Sequence, residues 1–152
     1  MRWWTLFALL AVGCGQAAQA PPRPVQSPTP TQAQQAQAWR EAITPAVNRL
    51  GTSIDALSVA CASDSPAGEC QLDYAAIATN AQSLEATLDR TLPPACLADS
   101  AAQFRQAAGL IDVASANLAR GTVSASLTGA AVMQDALVHL RAAGAEAQAA
   151  TC

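Results

Sequence analysis

The segment from residue 97 to residue 118 carries apolar or small residues at alternating steps of four and three. This spacing lines the side chains along one side of an α-helix, and it is typical of helices that pack into bundles. These residues form a seam, which in a bundle is buried against the other helices. Its positions are Leu97, Ala101, Phe104, Ala108, Ile111, Ser115 and Leu118.

An earlier segment shows a similar apolar face, which Thr44-Pro45 interrupts. Two interpretations are open: a helix that starts at Pro45 with Thr44 as its N-cap, or a longer helix from about Gln34 that is kinked at Pro45. We favour the longer helix because apolar residues precede the interruption as well as follow it. The positions are Trp39, Ile43, Val47, Leu50, Ile54, Leu57 and Cys61.

A second helix is expected to follow a turn over residues 62–69, which is rich in Ser, Asp, Pro and Gly. Asp73 suits its N-cap, and Pro93-Pro94 should end it. Its inward positions are predicted to be Ile77, Ala81, Leu84, Leu88 and Leu92.

A fourth helix is predicted after Gly121, which suits the C-terminal cap of the third, and Thr122, which suits an N-cap. Its predicted inward positions are Val123, Leu127, Ala130, Met133 or Gln134, Leu137 and Leu140. Four helices joined by short turns predict an all-α fold, an antiparallel up-down four-helix bundle. The composition agrees, since a quarter of the residues are alanine and only 4% are aromatic.

Four of the five cysteines fall at the ends of these helices. Cys61 and Cys70 would lie at one end of the bundle, and Cys96 and Cys152 at the other. Disulfide bonding requires Cα atoms about 4.4–6.8 Å apart, so this topology predicts the pairs 61–70 and 96–152. The close C-x-x-C spacing of structural zinc sites is lacking, and we expect no metal.

The fifth cysteine, Cys14, follows a short export-type signal in which Arg2 precedes the apolar residues 3–12. That run is shorter than the roughly 20 apolar residues that span a bilayer as a helix. Ala11-Val12-Gly13-Cys14 resembles the lipobox of bacterial lipoproteins, with Ala11 where leucine is commonest. The resemblance implies cleavage before Cys14 and lipid on its sulfur. An ordinary signal peptide cut after Ala18-Gln19-Ala20 is the alternative, although Pro21 would then follow the cleaved bond.

These features predict three regions: a lipoprotein signal peptide over residues 1–13, the lipidated Cys14 with a Pro/Gln/Ala-rich tether over residues 14–34, and a helical bundle domain over residues 35–152. Lipid on Cys14 would leave an even number of cysteines, as expected in an oxidising compartment. Gly15 rather than Asp follows Cys14. By resemblance to diderm lipoproteins, this favours the outer membrane; in a cell with one membrane, the anchor would lie on the outer face of the plasma membrane.

The charged residues argue against several functions. All eight basic residues are arginine, the formal net charge is −3, and no basic patch is present, which excludes nucleic acid as an expected partner. The single histidine, His139, is expected at or near the surface beside Asp135, four residues earlier. We therefore expect no enzymatic activity, catalytic residue or cofactor. The expected role is a lipid-anchored module that contacts an envelope protein or has a structural function; the alternative is a binding protein for a small apolar or amphipathic ligand between the helices.

Overall fold

The computed structural model describes residues 29–60 and 67–152, without the side chains of residues 58–60 and 67–72. This part of the chain is all-α, as predicted. It contains the helices α1 (Gln32–Ala60), α2 (Ala67–Arg90), α3 (Ala98–Ala119) and α4 (Val123–Ala149), and a short 3₁₀ helix over Ala95–Leu97 precedes α3. Consecutive helices pack against each other in an up-down manner. None of the helices described is long and apolar enough to cross a membrane.

Helix α1 is continuous through Pro45, in agreement with the longer of the two interpretations. A capping box fixes its start. The backbone N–H of Gln34 donates to the Thr31 hydroxyl, and the Thr31 N–H donates to the Gln34 side chain at 2.9 Å. Next to the proline, the Thr44 hydroxyl donates to the Arg40 carbonyl at 2.7 Å. The residues that α1 turns inward are fully or partly buried, as predicted.

Helix α2 begins earlier than its sequence suggests. It starts at Ala67, so the expected N-cap at Asp73 is wrong, and residues 67–69 are helical rather than part of a turn. Leu92 was expected to face inward, but it follows the helix end at Arg90 and is 86% exposed. The other predicted inward positions are confirmed, since Ile77, Ala81, Leu84 and Leu88 are all fully buried.

Helix α3 follows the predicted seam. All of its seven positions are buried except Leu118, which packs against the core while partly exposed. Gly121 has a φ of 68°, a conformation that glycine adopts readily, and its N–H donates to the Leu118 carbonyl at 3.2 Å. The Thr122 hydroxyl then accepts a hydrogen bond from the Ala125 N–H, so both predicted caps are confirmed.

In its first turns, helix α4 presents a different face to the core from the one expected, whereas Met133, Leu137 and Leu140 lie inward as predicted. Val123 and Leu127 are 80% and 70% exposed, and Ala130 is exposed as well, so the predicted orientation of the first turns is wrong. The buried residues are instead mostly small: Gly129, Met133, Ala136, Ala143 and Ala147.

The size of these residues explains the orientation, because small residues let two helices approach closely. A Cβ atom added to Gly129 would lie 3.0 Å from the Ala114 carbonyl oxygen and 2.7 Å from Cγ of Leu118. Nearer the other end of the pair, the buried Ser100 hydroxyl donates to the Ala143 carbonyl at 2.8 Å. Close backbone packing of α3 on α4 is therefore favoured over burial of the larger residues at the start of α4.

One aromatic pair lies in the core, with one ring from α1 and the other from α3. Trp39 is 2% exposed and packs against Phe104, with ring centroids 6.3 Å apart. Its indole N–H donates to the Thr91 carbonyl at 3.2 Å, which satisfies the one polar group of the buried ring. Trp39 is thus a core residue, as its place on the apolar face of α1 predicts.

Candidate functional site

The cysteines at the end of the domain that holds the C-terminus of α4 form the predicted disulfide. Cys96 and Cys152 are bonded, with Cα atoms 5.8 Å apart. Cys14 and Cys61 lie outside the described residues. Cys70 falls in the first turn of α2, and its side chain is also outside the described part.

His139 is half-buried between α3 and α4, within the range expected for it. Its Nδ1 lies 2.6 Å from Oε1 of Gln103, and its Nε2 lies 2.9 Å from Nε2 of Gln106. This suits a neutral ring that donates from Nδ1 and accepts at Nε2. A carboxylate oxygen of Asp135 is 3.9 Å from Nε2. The ring is held by two amide side chains of α3, so this arrangement links α3 and α4.

Three acidic side chains, Glu85 and Asp89 of α2 and Asp112 of α3, are close enough to interact electrostatically. Partial burial raises the pKa of Glu85, and the neighbouring charges of Asp112 and Asp89 raise it further. Asp112 accepts a hydrogen bond from Gln82, and Asp89 lies 3.6 Å from the Arg105 guanidinium. Among the residues that the structure describes, no group of three or more His, Cys, Asp or Glu side chains is arranged to hold a metal ion.

The most distinctive surface feature is an opening between α1 and α4, which we call the α1–α4 groove. These two helices approach each other much less closely than consecutive helices do. One part of the groove, which we call the lower hollow, lies beside the C-terminal part of α4 and has a volume of about 240 Å³. Buried Ile43 and Phe104 lie at its base, half-buried Val47 lies on one wall, and Thr44 and Asn48 form an exposed rim.

A second hollow, which we call the upper hollow, lies further along the same two helices. It measures about 390 Å³, and Ile54, Leu137 and Leu140 give it apolar walls. Asp55 and Arg141 lie at its exposed edge. The two hollows together extend over residues 40–55 of α1, which is about 22 Å at 1.5 Å per helical residue.

Arg40 joins the two helices at the lower end of the groove. Its Nε donates to the Ala147 carbonyl at 2.7 Å, and Nη2 donates to the Ala150 carbonyl at 3.0 Å. The Ala147 carbonyl belongs to the last turn of α4, and Ala150 is its C-cap residue. Helical partners run out here, and a positive charge is favoured. The half-buried guanidinium therefore caps α4 and also forms part of the wall of the lower hollow.

Two glycines keep the groove open. Gly144 lines the lower hollow and Gly51 lines the upper one, and an added Cβ would meet no other atom within 4 Å at either position. Both lie inside helices, where glycine costs about 0.5–1 kcal/mol relative to alanine. Neither glycine is required for close packing, in contrast to Gly129.

The groove has a mixed apolar and polar lining, and its upper hollow carries the Asp55 carboxylate. Its lower hollow is lined by apolar groups, neutral polar side chains and one arginine, without a carboxylate, histidine or cysteine. The volume of the lower hollow is just below, and that of the upper hollow within, the roughly 300–1,000 Å³ typical of small-molecule sites. From the sequence, a ligand between the helices is expected only as an alternative, and the spacing of the residues does not point to this groove. Comparison with protein-family models, curated proteins and solved structures found no match to this chain.

Proposed function

We propose that this chain is an exported, lipid-anchored protein of the bacterial cell envelope. The residues Ala11-Val12-Gly13-Cys14 support this proposal, because they combine an export-type apolar run with a cysteine in the place of the lipidated residue. The disulfide between Cys96 and Cys152 is compatible with an oxidising compartment. The domain would project from the membrane on its proline-rich tether.

The full fold that we propose is an antiparallel up-down four-helix bundle with a second disulfide, between Cys61 and Cys70. A bond there would join the end of α1 to the start of α2, as Cys96–Cys152 joins α3 to the end of α4. Peptide mapping of the unreduced protein should recover these two pairs and no others. Any crossed pair, such as Cys61 with Cys152, would refute the proposed arrangement of the helices.

Intact-mass measurement of the protein extracted from membranes tests the anchor. The expected species begins at Cys14 and carries the mass of its acyl chains. Cys14→Ser should remain unprocessed, because the lipoprotein peptidase would lack its lipidated substrate. A mature protein that begins at Pro21 would instead support an ordinary secretory signal and refute lipidation.

We further propose that the domain acts by binding, without catalysis, and that the α1–α4 groove is its binding site. The observation that carries this proposal is the apolar opening between α1 and α4. Helix α1 packs closely on α2 and helix α4 on α3, but these two helices do not pack closely on each other. An envelope protein is the expected partner. The small apolar or amphipathic ligand is the second candidate, and the modest volume of the two hollows favours it.

Site-specific photocrosslinking in the native envelope tests the location of the site. A photoreactive residue at Asn48, on the rim of the lower hollow, should capture a discrete partner. The same residue at Thr79, which is exposed on α2, should not capture it. Equal capture at both positions, or capture at Thr79 alone, would contradict the assignment of the groove.

A further inference from the structure

We propose that the α1–α4 groove binds a long-chain fatty acid, with the hydrocarbon chain along the two hollows and the carboxylate at Arg40. This inference rests on the proposed binding function of the groove and specifies its ligand. Three observations carry it: the elongated shape of the groove, the charge at one end, and the two glycines that leave its walls open.

The shape favours a thin, unbranched chain. Arg40 of α1 hydrogen-bonds directly to backbone carbonyls of α4, so at this end the helices lie within the reach of one side chain. An α-helix with its side chains is about 10–12 Å across and could not enter here unless these bonds broke. A hydrocarbon chain could pass along the apolar side chains and leave the hydrogen bonds of Arg40 intact.

The charge favours an anionic head group. Arg40 is the one charged residue that lines the lower hollow, and within residues 29–60 and 67–152 no carboxylate forms an ion pair with it. A guanidinium has five N–H donors, and its two hydrogen bonds to α4 use only part of this capacity. A carboxylate beside it would gain charge-assisted hydrogen bonds in a partly desolvated place.

The glycines favour a site that is open in the folded domain. Any larger residue at Gly144 or Gly51 would project into unoccupied space and reduce the volume of the groove. Leucine at either position should therefore compete with the ligand for the same space. Because glycine is the weaker helix former, the substitution should not weaken the helix itself.

The test uses the intact chain in its native membrane and a photoreactive hexadecanoic acid. After illumination, reduction and digestion, label is expected on the parts of α1 and α4 that line the groove. Gly144→Leu should lower this labelling about tenfold or more, a loss of about 1.4 kcal/mol in binding. Ala145→Leu is the matched control, because it adds the same side chain at an exposed neighbouring position and should leave labelling unchanged. Partition of the probe into lipid is the same for both variants.

Thermal unfolding shows whether Gly144→Leu is folded, and Gly51→Leu replaces it if it is not. Label spread evenly over all four helices, or equal labelling of the Gly144→Leu and Ala145→Leu variants, would overturn the inference.

The role of Arg40 is tested with a second probe that has the same chain and an alcohol in place of the carboxylate. Arg40→Gln should reduce labelling by the acid and leave labelling by the alcohol nearly unchanged. Arg40→Lys, which keeps the positive charge, should restore labelling by the acid. An equal loss with both probes would mean that Arg40 only holds the helices together, and it would overturn the assignment of the carboxylate.

The outcomes also separate this inference from the proposed function. Capture of an envelope protein at Asn48, with fatty-acid labelling that Gly144→Leu does not affect, would refute the fatty-acid ligand and retain the groove as a partner site. Loss of both signals would refute both.

Discussion

Two glycines of α4 should respond in opposite ways to the same substitution. At Gly144, alanine adds a methyl group in open space, so it should stabilise the domain by about 0.5–1 kcal/mol through helix propensity alone. At Gly129, the same gain is opposed by contacts at 2.7 Å with Leu118 and 3.0 Å with the Ala114 carbonyl oxygen. The leucine side chain can shift, but the backbone carbonyl cannot do so without displacement of α3.

Overpacking of this kind costs about 1–3 kcal/mol, which exceeds the propensity gain. Gly129→Ala should therefore be less stable than Gly144→Ala by roughly 1–3 kcal/mol. In a domain of this size, 1 kcal/mol corresponds to a shift of about 3–6 °C in the thermal midpoint.

The measurement is thermal and urea unfolding of both variants, followed by circular dichroism with the disulfides intact. Similar urea m-values would show that the two unfolding transitions are comparable. If Gly129→Ala proved as stable as Gly144→Ala or more so, the close approach of α3 and α4 at Gly129 would be refuted, and with it our explanation of which face of α4 is buried.

Three further predictions concern other parts of the domain. Cys96→Ala with Cys152→Ala opens a loop of sequence separation 56 and should lower the free energy of unfolding by up to about 4 kcal/mol, measured by urea denaturation. Ser100→Ala removes the buried hydrogen bond to α4 and should lower the free energy of unfolding by about 0.5–1.5 kcal/mol in the same assay. Ser100→Thr keeps the hydroxyl, so comparison of the two variants separates loss of the hydrogen bond from a change in packing. Because burial and the nearby charge of Asp112 raise the pKa of Glu85 above its ordinary value of 4.5, the ionised carboxylate weakens the fold at neutral pH. Glu85→Gln should thus raise the thermal midpoint at pH 7, and the difference from the wild type should vanish as the pH falls below about 4; an equal difference at both pH values would contradict this cause.

The fold could be predicted from the sequence where large apolar residues recur at helical spacing. The seam of α3 and the inward face of α2 are found as expected, because leucine, isoleucine and phenylalanine gain much more from burial than alanine does. Chain topology then brought Cys96 and Cys152 to one end. The start of α2 was missed because Asp73 suits a cap by residue type, whereas the helix had already begun at Ala67.

The orientation of the first turns of α4 could not be predicted in the same way. Only three of its 27 residues are charged, so no polar face marks the side that is away from the core. With apolar residues all around the helix, the buried face is decided by fit against α3. Gly129 and Ala143 permit contact between backbones there, and Val123 and Leu127 would hold the helices apart.

The same ambiguity concealed the candidate site. In the sequence, Gly129 and Gly144 are equivalent, since each is a helix-interior glycine among alanines. Only their neighbours in space differ: at Gly129 the missing side chain lets α3 come close, and at Gly144 it leaves a hollow that no helix fills. Helix α4 packs closely on α3 and only loosely on α1, and Arg40 extends across the space between α1 and α4. The α1–α4 groove therefore accompanies the small-residue packing of α4 on α3, and widening that packing at Gly129 should alter the groove as well as the stability of the domain.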